Sequence, residues 1–317
     1  MLLDTDKTFD ALLNECAASP SSCILARNGA TGPQLRSAID KALGTLKFNP
    51  LPLGPAIIEY AAMKPLILAC LKAPSLYPMM ISGLDGLVTS NTTAISDFFT
   101  NVANILGGLI DSDALQGIRC GEKTFRVSRH EDLQPAINRL HNISKIAGDT
   151  FGSILMPCSQ WKTNAKEVYT GNFQVRTRKP LLVIGNTFDP ITPLASARNV
   201  SAGFEGSVVL EQRGFGVSSH HVRVLASRTF LTEYVQHTSM AQRVACTESF
   251  IRGYFADGTL PKPGTVCEST SPLFVPKAVQ PSKRARRAVG GEAVDESEMD
   301  LQAAKSLDKM LLRMFWK

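Results

Sequence analysis

The stretch KPLLVIGNTFDPITP, Lys179–Pro193, decides the fold. Leu181–Ile184 is a short, unbroken apolar run that Gly185 and Asn186 stop. A strand in a sheet with one wet face alternates apolar and polar residues. An unbroken run is what a strand covered on both faces requires, as in parallel sheets flanked by helices. The following PLASARNVSAGF reads as a helix with Pro193 near its first turn, where the missing N–H costs nothing. SVVLEQ, Ser207–Gln212, is a second apolar strand. The order is strand, Asp-bearing loop, helix, strand, loop. That order predicts the end of a parallel α/β sheet, whose chemistry sits in loops at the carboxyl ends of its strands.

Outward from this stretch the chain divides into four parts. Residues 1–29 read as a helix and a loop closed by Cys16 and Cys23, and residues 30–150 as a helical cap or lid. Within the cap, Leu35, Ile39, Leu43 and Leu46 recur at helical spacing, and further apolar helical segments follow at 55–72, 78–88 and 91–110. The block 30–117 is helical throughout in this reading, and GIRC, Gly117–Cys120, is a strand end before a loop and another helix. Residues 151–275 hold the α/β segment. Residues 276–317 are a charged linker and a tail helix with Leu301, Ala304, Leu307, Leu311 and Met314 on one face.

Composition excludes several classes. With 317 residues, 44% hydrophobic and 20% charged, the chain is ordinary globular material. The net charge of +6 owes much to KRARR, Lys283–Arg287, rather than to a basic face, which argues against a nucleic-acid partner. No run reaches the roughly 18 apolar residues of a membrane span; the nearest, residues 65–84, is broken by Lys72, Pro74 and Pro78. The start, MLLDTDKTFDALLNEC, is acidic and amphipathic, without the basic opening and apolar core of a secretion signal. On that ground alone the product stays in the cytosol. The seven cysteines point the other way. Cys16 and Cys23 bracket a Ser/Pro loop, Cys246 and Cys267 bracket a helix and a turn, and neither spacing is a metal knuckle. They are read as disulfide candidates, with no metal site. Sequons at Asn91, Asn142 and Asn199 are glycosylation candidates and suggest a secreted ancestry.

GNTFDPITPLASARNV, VVLEQRGFG and HTSMAQRVACTESFIRGYFADGTLPKPGTVCE, in this order, resemble the C-terminal part of secreted tripeptidyl aminopeptidase-like α/β-hydrolases, serine exopeptidases related to the prolyl iminopeptidases. The resemblance extends over roughly residues 1–275, with CGE and CSQW similar to the junctions of the family's cap. It implies the C-terminal portion of an α/β-hydrolase fold with a helical cap subdomain. It implies a triad in the chain order Ser, Asp, His, with Asp189 as the acid that orients the base. Glu122, in CGE, is the candidate for holding the substrate's amino group. The implied substrate is a peptide with a free N-terminus, and no cofactor is needed. The family's nucleophile elbow, G-x-S-x-G, lies upstream of the segment that LLDTDKTFDALLNEC resembles, and this sequence contains no such motif. The resemblance therefore implies a fragment that lacks the nucleophile half and is inactive as written. The alternatives are a non-catalytic peptide-binding remnant, a truncated gene model, or an interaction module built on the basic tail and terminal helix.

The family pattern after the last strand is G-x-G-H, but here Val217 follows Gly216. Removing Val217–Gln236 gives RGFGHTSMAQRVACTESF, which restores the pattern and makes His237 the base, with His220 and His221 as bystanders. Val217-Ser218 can be encoded GTGAGT and Gln236 CAG, the start and end of an intron, and Leu231-Thr232 fits CTNAC, a branch site. The twenty residues Val217–Gln236 occupy sixty nucleotides and keep the frame. The insert reads as a retained intron, the alternative being a true surface loop, which chain entropy tolerates. Sequencing of the mature transcript is expected to show the Gly216 codon joined to the His237 codon; a message that keeps the insert overturns the reading.

Overall fold

The computed structural model describes residues 2–53, 56–106, 113–215, 244–269 and 272–274. The insert, His220, His221, His237 and the 276–317 tail lie outside the described residues.

The first layer is helical. α1 (Thr5–Ala18) and α2 (Gly32–Phe48) are followed by a two-stranded antiparallel ladder, β1 (Leu51–Leu53) and β2 (Ala56–Ile58). α3 (Tyr60–Leu71), α4 (Tyr77–Thr89) and α5 (Thr92–Leu106) complete the block. α2 begins where the sequence caps it: the Thr31 N–H donates to Gln34 Oε1 at 2.8 Å, and Pro33 sits in the first turn. α4 and α5 touch so closely that a Cβ on Gly83 would stand 2.4 Å from Phe98 Cγ. The apolar positions of these helices meet in one core around Phe9, Leu12, Met63, Ile67, Tyr77 and Phe98. Each such side chain stabilises the fold by roughly 1.5–3 kcal/mol through burial.

The second layer is the sheet. After α6 (Asp113–Glu122), α7 (Gln134–Ile143) and α8 (Gly148–Ser159) come β3 (Leu182–Phe188), α9 (Leu194–Gly203), β4 (Val208–Phe215), α10 (Ala245–Asp257) and β5 (Val266–Glu268). The sheet order is β3-β4-β5 and both pairings are parallel. β3 and β4 run in register from Leu182↔Val208 to Asn186↔Gln212, then slip by one residue before Phe188↔Phe215. Helices cover both faces. On one, a Cβ on Gly185 would meet Ala197 and Leu194 of α9 at 2.8 Å, so only glycine admits the helix this near. On the other, Leu182, Ile184 and Leu210 pack with Val244 and Phe250. The fold class is therefore α/β, as the apolar strands require.

Two local readings need correction. The block 30–117 is not helical throughout, because β1 and β2 form a short ladder ahead of α3. Gly117–Cys120 is not a strand end but lies inside α6. Gly117 and Gly121 each weaken a helix by about 1 kcal/mol, which hides it in the sequence. A disulfide between Cys120 and Cys158 ties α6 to α8. Cys16–Cys23 and Cys246–Cys267 are also bonded, while Cys70 is a buried free thiol. Asn91, Asn142 and Asn199 are all exposed. No helix among the described residues is long and apolar enough to cross a membrane.

β3 pairs with β4 alone among the described strands, and Leu182, Val183 and Ile184 are only half-buried. A run of residues suited to cover on all sides thus borders an edge with no partner among the described residues, a template for pairing between chains. The isolated chain is expected to self-associate on size-exclusion chromatography, and Val183→Lys is expected to raise the monomer fraction. A wild-type chain that elutes as a monomer and melts cooperatively counts against this.

Candidate active site

Asp189 follows β3 at its carboxyl end and is 1% exposed. The sequence DPITP builds its setting. Pro190 and Pro193 restrict the backbone, and the Asp189 side chain closes a turn on its own loop. Asp189 Oδ1 accepts the Ile191 N–H at 2.9 Å and the Thr192 N–H at 2.8 Å, and Oδ2 accepts the Thr192 hydroxyl at 2.7 Å. These three bonds fix the orientation of the carboxylate.

The helical layer grips the same loop. Thr5, at the start of α1, donates its hydroxyl to the Pro190 carbonyl at 2.6 Å. Lys7 Nζ donates to the Thr187 carbonyl at 3.3 Å and lies 5.5 Å from the centre of the Phe188 ring. Phe188 stacks on Phe215 at 4.6 Å, and Tyr77 meets Phe215 edge-on at 6.2 Å. Leu2, Leu68 and Ala147 close over Ile191. Burial, with Asp189 and Cys70 nearby, pushes the Tyr77 hydroxyl well above its usual range, so it stays protonated and donates to the Leu71 carbonyl at 3.1 Å. Burial also pushes the Cys70 thiol up to about 12. A buried thiol that stays protonated near neutrality is a poor nucleophile.

Asp189 borders a cavity of about 260 Å³ between β3 and α9, lined also by Asn186, Thr192, Ser196 and Val200. Asn186 is 2% exposed, and neither amide atom has a partner among the described residues. Sequence reasoning singled out Asp189 but passed over Asn186, Thr192, Thr5 and Tyr77. Thr192 was within reach, since an Asp followed three residues later by Thr is a turn signature.

Residues 144–267 match the family model of TAP-like proteins. This is an α/β-hydrolase family, and the match spans β3, the Asp189 loop and β4 and ends within β5. None of the curated proteins matches the chain. The matched range contains Asp189 and its loop. Glu122 lies before the segment, exposed at the end of α6, and lines neither this cavity nor the next. His237 falls inside the matched range and outside the described residues.

A second cavity, of about 390 Å³, is lined by Lys47, Asn138, His141, Asp149, Ser153 and Met156 among others. Beside it Lys64, 3% exposed, donates to Asp149 Oδ2 at 3.0 Å, to the Tyr60 hydroxyl at 2.9 Å and to the Lys145 carbonyl. Tyr60 donates to the same Asp149 oxygen at 2.5 Å. Burial works against the charged carboxylate, but the Tyr60 and Lys64 hydrogen bonds outweigh it and hold Asp149 below its usual range. A depressed carboxylate stabilises the fold above its unfolded pKa, and that contribution fades as pH falls through the folded value. Asp149→Ala leaves Lys64 buried without its counter-charge, at a cost of about 3–5 kcal/mol. The expected readout is a lower urea midpoint, with Lys64→Met restoring much of the loss in the double variant; an unchanged midpoint for Asp149→Ala refutes the role.

Proposed function

We propose that this chain carries the Asp and His part of a serine exopeptidase that removes residues or short peptides from a free N-terminus. One observation carries the reading: a buried carboxylate, fixed by three hydrogen bonds, stands on the loop that leaves a parallel strand within the TAP-like segment. In such an enzyme a serine attacks the peptide carbonyl. His237 takes the serine's proton and later returns it to the leaving amine, while Asp189 holds the imidazole in the required tautomer. Neighbouring parallel strands lie about 4.8 Å apart, so a base on the loop after β4 can reach Asp189 on the loop after β3. Glu122 is the proposed partner of the substrate's amino group. The chain has no G-x-S-x-G elbow, so the reading includes that it is inactive as written and completed by a nucleophile-bearing α/β half.

A peptide-binding remnant is the second reading, favoured by the cavity beside Asp189 and by the Asn186 amide, which has no partner among the described residues.

The pure chain is expected not to cleave aminoacyl or tripeptidyl amides. Deleting Val217–Gln236 and restoring the nucleophile half from the same locus is expected to give a secreted, inhibitor-sensitive exopeptidase. In that enzyme His237→Ala or Asp189→Ala is expected to lower turnover by roughly three or more orders of magnitude. Serine-inhibitor-sensitive cleavage by the chain as written, or dependence on His220 in place of His237, sinks the assignment.

A further inference from the structure

Between α8 and β3 lies the irregular segment Trp161–Pro180, exposed over nearly its whole length. Loops this long without regular structure are uncommon in compact domains and often functional. Both of its ends are fastened. The Trp161 carbonyl accepts Arg126 Nε at 2.9 Å, and the Val175 N–H donates to the Gly203 carbonyl at 2.9 Å. Val175 also bridges to Phe204 in parallel.

Between these anchors the loop displays apolar side chains. Tyr169 is 63% exposed and Phe173 61%, and their rings contact each other at 4.6 Å rather than folding back onto the protein. Val168 and Val175 are exposed as well. A Cβ on Gly171 would collide with the Tyr169 hydroxyl, and Phe173 adopts φ +55°, a region that costs a non-glycine residue energy. The same segment carries Lys162, Lys166, Arg176, Arg178 and Lys179, with Glu167 as its one acidic residue. Only Arg176 among them meets a carboxylate in the described residues, Glu205 at 4.0 Å on the exposed surface.

We propose that this loop docks the protein on an anionic phospholipid surface, the two rings entering the headgroup boundary and the cations facing acidic headgroups. Charge complementarity selects an anionic partner, and each Lys or Arg near such a surface adds attraction that salt screens. The aromatic pair, with one polar hydroxyl, suits the water–lipid boundary. The exposed valines favour lipid over nucleic acid: aliphatic side chains add nothing to base stacking but gain from leaving water.

The test is flotation of the full chain with vesicles of phosphatidylcholine, alone or with about 30 mol % phosphatidylserine; flotation leaves aggregates at the bottom. The expected result is flotation with the anionic vesicles only, weakened about tenfold by Tyr169→Ser with Phe173→Ser and by raising salt from about 0.1 M to about 0.5 M. Lys166→Glu with Arg178→Glu is expected to act in the same direction, whereas neutralising Lys283–Arg287 leaves binding in place. Protein that stays at the bottom, floats equally with neutral vesicles, or loses binding only when the tail is neutralised overturns the proposal. A gel shift of duplex DNA or RNA that the aromatic double variant abolishes, without vesicle binding, assigns the loop to nucleic acid and overturns it too.

Discussion

The hydrogen bond from the Thr5 hydroxyl to the Pro190 carbonyl, 2.6 Å long and 185 residues apart in sequence, joins the helical layer to the loop that bears Asp189. One residue further on, Asp6 fixes the turn between α7 and α8. Its carboxylate accepts the Ser144 hydroxyl at 2.8 Å and the Lys145 and Ile146 N–H groups at 2.9 and 3.1 Å. A single helical turn therefore sets the positions of two distant segments. The Thr5–Pro190 bond is buried, so its loss strands polar groups away from water at roughly 1–3 kcal/mol, whereas the contacts of the partly exposed Asp6 carboxylate cost less to lose. Within that loop the turn's own hydrogen bonds orient the Asp189 carboxylate.

What the sequence disclosed and what it hid divide along a physical line. Leu181–Ile184 and Val208–Leu210 announced a parallel sheet because burial on both faces leaves a compositional trace that depends on no other part of the chain. DPITP disclosed its turn for the same reason: the side chain bonds within its own loop. α6 was hidden because two glycines erase helical propensity and a disulfide to a distant helix supplies what propensity lacks. The contacts of Thr5 and Asp6 were hidden because nothing local marks a hydroxyl or carboxylate whose partner lies more than a hundred residues away.

The two layers also differ in how complete their packing is. Around Phe9, Leu12 and Met63 the side chains are fully buried. On β3 the apolar residues remain half-buried, and the Asn186 amide next to Asp189 has no partner among the described residues. Buried polar groups are nearly always paired, so among the described residues Asn186, with both amide atoms lacking a partner, is an exception on this strand. The same neighbourhood holds the oriented carboxylate and the cavity, and the functional reading rests there for that reason.

The bond between Cys246 and Cys267 fastens the first turn of α10 to β5, and β5 pairs with β4. α10 is thus held from its far side, whatever length of chain runs between Phe215 and Val244. Lengthening a closed segment costs only about 0.6 kcal/mol per doubling, far less than the staple and the strand pairing contribute. Folding is therefore a permissive filter at this junction: quality control that senses stability would pass chains with or without twenty extra residues alike, and only chemistry at the loop could tell them apart.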